Sequence, residues 1–163
     1  MDKFSIKFHF DDVNGPSPDD PVVLVGIQYT IGGENIIPSG ESGTSYRNDY
    51  LPMALHQWLN YVQILDHGEE CTFEFTEYSS IQFQMSPQNE YINLSVTKRH
   101  QDGIIGSYKV SIDQLAHECT DATERYIDWL LDQQPSLASN SSIEKLEELA
   151  EEVQKDVINS GNN

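Results

Sequence analysis

Two cysteines in 163 residues are too few for a disulfide framework, so the core must hold without staples. Long apolar runs are missing too: no stretch approaches the roughly 20 residues that cross a bilayer. The opening MDKFSIKFHF alternates polar and apolar residues, unlike the unbroken apolar segment of a signal peptide. There is no H-E-x-x-H, no G-x-S-x-G and no glycine-rich loop closing on Lys-Ser or Lys-Thr. Zinc hydrolysis, a serine nucleophile elbow and a P-loop therefore lack their residues. Ser39-Gly40-Glu41-Ser42-Gly43 is glycine-rich, but no lysine follows it. These absences point to a cytoplasmic, non-catalytic chain with no cofactor and no metal.

Both cysteines lie near a histidine, in DHGEEC (Asp66 to Cys71) and AHECT (Ala116 to Thr120). His67 and Cys71 straddle a helix end and a strand start. His117 and Cys119 stand two apart on a helix, about 200° from each other. Strand alternation puts Cys71 inside with Phe73 and Phe75, and the helical stripe puts Cys119 inside with Leu115 and Ala122. Both fit the role of small buried hydrophobes. Apolar or acidic surroundings raise a thiol's pKa, which argues against a nucleophile.

Basic residues are scarce: nine against 27 acids, a formal charge of −18. Acids occur along the whole chain. Such a field repels phosphate backbones and anionic membranes and speeds encounters with basic partners. Nucleic acid and membrane are thus unfavourable partners, and a basic protein is the favoured one.

What is present is ample for a core: 37% hydrophobic residues, with 8 Tyr, 6 Phe and 2 Trp. KFSIKFHF (3–10) and PVVLVGIQYTI (21–31) read as strands, separated by a proline-rich loop. Residues 32–48 read as a long loop. Asn48 or Asp49 is placed to cap a helix with Pro52 in its first turn, whose stripe is Leu51, Leu55, Trp58, Val62 and Leu65. CTFEFTE (71–77), SIQFQMS (80–86) and YINLSVTK (91–98) alternate, and a Gln-Asp-Gly turn at 101–103 leads into IIGSYKVSI (104–112), the pattern of an antiparallel meander. A second helix starts near Ser111 or Asp113 and stops before Pro135. Ser141 and Glu144 form a capping box that opens a third helix.

The expected fold is α+β: one mostly antiparallel sheet of about six strands in ββαββββα order, helices packed on it, and a C-terminal amphipathic helix. Residues 1–132 form the domain, 133–142 a linker, 143–158 the last helix and 159–163 a disordered tail. Ile143, Leu146, Ala150 and Val153 give that helix an apolar stripe able to pair with a second copy.

Asp11, Asp12, Asp19 and Asp20 bracket the first loop, and Glu34, Glu41 and Asp49 flank the second beside Tyr46 and Tyr50. Tyrosine offers a large, rigid contact area with a polar tip. Asp19, Asp20, Glu34, Glu41, Tyr46 and Asp49 are therefore the candidate partner-binding residues. The helix LHQWLNYVQIL, the meander ECTFEFTE…IQFQMS…EYINLSV and the helix LAHECTDATERYIDWLL together resemble immunity proteins that bacteria encode beside polymorphic or contact-dependent growth-inhibition toxins. The resemblance spans about residues 50–132. It implies a tight, non-catalytic binder that blocks one cognate toxin domain, often a basic nuclease, and it assigns no individual residue.

Overall fold

A computed structural model describes residues 2–38, 46–76, 80–99 and 103–160, Asp12 by its backbone alone. Among the described residues, two four-stranded antiparallel sheets and three α-helices make up the α+β fold. In the first sheet β2 (Val23–Ile31) is central. Strand β1 (Phe4–His9) pairs along one side, from Phe4 opposite Ile31 to His9 opposite Gly26. The other side is shared end to end by the short β3 (Glu34–Asn35), opposite Thr30 and Ile31, and β4 (Arg47–Leu51), opposite Val23 to Ile27. The second sheet is a meander of β5 (Cys71–Glu74), β6 (Ile81–Pro87), β7 (Ile92–Lys98) and β8 (Ile104–Val110).

The single six-stranded sheet is thus corrected to two sheets, because no strand of the meander pairs with β1–β4 among the described residues, and residues 46–52 add a strand that the sequence hides. RNDYL reads as polar loop, yet it forms β4, with Asp49 buried and accepting hydrogen bonds inside. One Asp49 carboxyl oxygen accepts from the Tyr50 and Thr76 backbone N–H groups, each at 2.9 Å, and from the Thr76 hydroxyl. That carboxyl ties the end of one sheet to the chain just past β5. Neither Asn48 nor Asp49 caps a helix; Pro52 occupies the N-cap of α1 (Met53–Asp66). Gly68, at φ +84°, ends the helix as expected of a residue without Cβ.

Helix α1 packs on both sheets, and Trp58 is its largest buried side chain. The indole N–H donates to the Tyr29 hydroxyl at 3.0 Å, while the ring stacks on Phe73 at 4.4 Å. Phe4 and Phe83 pack on the same cluster, so β1, β2, α1, β5 and β6 share one aromatic core. Helix α2 (Ile112–Gln133) covers β1 and packs on α1; the Ser111 hydroxyl caps it by accepting from Gln114 N–H at 3.0 Å.

Residues 133–142 do not hang free. Pro135–Ser139 makes a 3₁₀ turn with Leu137 buried, and Asn140, one residue before the expected Ser141, caps α3 (Ser141–Val153) by accepting from Ser142 N–H. The helix runs on as a π-helical segment, Gln154–Ile158. Ile143, Leu146 and Val153 are fully buried against α1 and α2, and Ala150 is partly buried. The stripe expected to meet a second copy is therefore occupied within the chain. Among the described residues, no helix is long and apolar enough to cross a membrane.

Candidate protein-binding surface

The six expected binding residues do not form one patch. Asp19 and Asp20 are exposed on the loop before β2, where Asp20 accepts from the Val22 N–H at 3.0 Å. That loop rests on the C-terminal half of α2: the Tyr126 hydroxyl donates to the Pro21 carbonyl at 2.5 Å, and Ser136 to Pro18 at 3.3 Å. Glu34 is exposed at the opposite end of β2, paired with Ile31. The nine residues of β2, about 26 Å from first to last, separate the two ends. Asp49 faces the interior and is withdrawn from any partner. Glu41 lies outside the described residues.

Tyr46 lies flat on the outer face of the first sheet. Its ring stacks on His9 at 4.4 Å and passes so close over Gly26 that a Cβ there would meet it at 2.5 Å. Glycine at 26 is a steric requirement of that arrangement. His9, Val13, Leu24, Gly26, Tyr46 and Asn48 line a shallow hollow of about 280 Å³.

The denser acidic surface is helical, and the sequence patterns did not single it out. Residues 112–158, under a third of the chain, carry 12 acids and three bases, half of the formal charge of −18. Their apolar stripes face inward, so the acids are displayed outward. Toward β1 the charge is partly balanced. Arg125 pairs with Glu118 at 2.7 Å and Asp121 at 2.9 Å and donates to the Ile6 carbonyl, while Glu118 accepts from the Ile6 N–H. Toward α3 it is not. Glu124 and Asp128 on α2 face Glu147 and Glu151 on α3 across a groove of about 290 Å³, and none of the four makes an ion pair among the described residues. The signal for this site was available as the polar complement of each stripe; that the two complements meet needed the tertiary structure.

Between these carboxylates the groove is lined by Thr120, Thr123, Ile127 and Ala150, with Gln154 beside them. Both threonines spend their hydroxyls on their own helix, donating to the carbonyls of Ala116 and His117 and of Cys119. That leaves them little polar demand toward the groove.

The thiols sit in settings that suppress reactivity. Burial pushes the Cys119 thiol well above its ordinary pKa, with Glu118 adding to the shift, and burial raises half-buried Cys71 to about 11. Neither is a thiolate near neutral pH. His67 lies 2.7 Å from the Gln63 carbonyl through Nδ1, and exposed His117 stands 3.6 Å from Asp113. No group of three or more His, Cys, Asp or Glu among the described residues is placed to hold a metal ion. Comparison with protein-family models, curated proteins and solved structures finds no match.

Proposed function

We propose that this chain is a non-catalytic, acidic protein-binding module of the immunity type, which neutralises a cognate basic toxin domain by covering its active site. The observation that carries this reading is the unbalanced helical layer: half of the net charge on α2 and α3, with four facing carboxylates that make no ion pair among the described residues. Like charges held that close destabilise the free protein slightly, and a cationic partner relieves them. The same field draws that partner in before contact is made. Asp19 and Asp20 extend the negative surface where their loop meets α2. Buried Asp49 and distant Glu34 contribute no contact.

The test is co-expression with a panel of growth-inhibiting basic toxin domains, followed by purified binding assays. Rescue of growth by the wild-type chain, lost when Glu124, Glu147 and Glu151 are replaced by Lys, is the expected result. Rescue that persists after those three reversals, or no rescue and no binding across the panel, contradicts it.

A further inference from the structure

The proposed function leaves open how the acidic layer grips its partner, and the α2–α3 groove narrows the choice. Two features coincide there. The floor is formed by Ile127, Ala150 and two threonines whose hydroxyls are spent on their own helix, and each wall carries a pair of carboxylates one helical turn apart: Glu124 and Asp128 on α2, Glu147 and Glu151 on α3. One turn rises about 5.4 Å, which is also the spacing of Lys or Arg side chains at i and i+4 on a third helix.

The alternatives fit less well. A volume of about 290 Å³ falls at the lower edge of small-molecule pockets. Nucleic acid is repelled by the walls. An apolar strip between two acidic rims matches the face of a helix that is apolar along one line and cationic on both sides. Helix-in-groove docking uses that geometry.

Resting on the binding role proposed above, we infer that the α2–α3 groove seats a basic amphipathic helix of the partner. An aliphatic side chain enters between Ile127 and Ala150, and Lys or Arg side chains pair with the carboxylates on both rims. The small side chains of Thr120, Thr123 and Ala150 allow the incoming backbone to approach closely.

The probe is a synthetic Leu/Lys/Ala helical peptide with its leucines on one line, titrated into the full chain and followed by amide chemical shifts. A second peptide of identical composition has its leucines dispersed around the helix. The expected result is that shifts concentrate at Thr120, Thr123, Ile127, Ala150 and Glu151, and that the ordered peptide binds at least tenfold tighter. Ala150→Trp, which fills the groove, and the exposed double variant Glu147→Lys/Glu151→Lys should each abolish that preference, whereas Glu34→Lys should retain it. Because Ala150→Trp could disturb packing, the Lys double variant carries the decision if the Trp variant unfolds. Equal affinity for both peptides, or shifts scattered over the acidic surface, overturns the inference. Neutralisation of a toxin domain alongside a failed peptide titration removes the groove and leaves the binding role; the reverse pairing removes the role and leaves the groove.

Discussion

At the scale of single residues, the sequence showed well which side chains were apolar and less well why a polar one was inside. Asp49 read as a loop acid or helix cap, and it is instead a buried junction between the two sheets. Asp49→Ala leaves the Tyr50 and Thr76 donors without their acceptor and should cost more than ~2 kcal/mol in denaturant titration, without weakening partner association. At Gly26 the neighbour is the Tyr46 ring, so Gly26→Ala forces the ring off His9 and should cost about 1–3 kcal/mol, visible as loss of the stacked ring shifts in proton NMR.

The titrating core residues set a direction with pH. Burial raises Tyr29 well above 10.0, partly opposed by its hydrogen bond to Trp58, and raises Cys119 well above 9.0 and Cys71 to about 11. On unfolding, each loses its proton at the ordinary value. Above pH 9.0 the unfolded chain therefore binds fewer protons than the folded one, and stability falls as pH rises. Below that pH these groups contribute no slope. Urea midpoints measured from pH ~8 to pH ~10 should decline, and Cys119→Ala should flatten the decline even though its cavity lowers stability throughout.

At the scale of elements, the meander was legible because Ile81, Phe83 and Met85 on β6 and Ile92, Leu94 and Val96 on β7 are buried at every second position. The edge made by β3 and β4 was not, since two residues are too short for a pattern and RNDYL hides its one inward acid behind hydrogen bonds. The last helix showed its stripe plainly, while nothing local told whether that stripe met the same chain or another. It meets the same chain. A version ending at Gln134 loses buried Leu137, Ile143, Leu146 and Val153. At about 1.5–3 kcal/mol each, these losses rival the whole stability of an ordinary domain. That version should lose its cooperative melt and bind a hydrophobic dye. A well-folded truncated chain would show α3 to be an appendage.

At the scale of the whole molecule, half of the net charge sits in one contiguous stretch, residues 112–158, which folds into the α2–α3 layer. Periodicity reveals each helix's polar face and cannot show that two such faces border one groove. The most direct test of the account is the association rate with a cationic toxin domain, followed by stopped flow from ~0.01 M to ~1 M salt, over which the screening length falls from about 30 Å to about 3 Å. The account predicts a fall of ~100-fold or more for the wild-type chain and a much shallower one for Glu124→Lys/Glu147→Lys/Glu151→Lys. A wild-type rate that stays level with salt, or a triple variant that follows the wild-type curve, would contradict it.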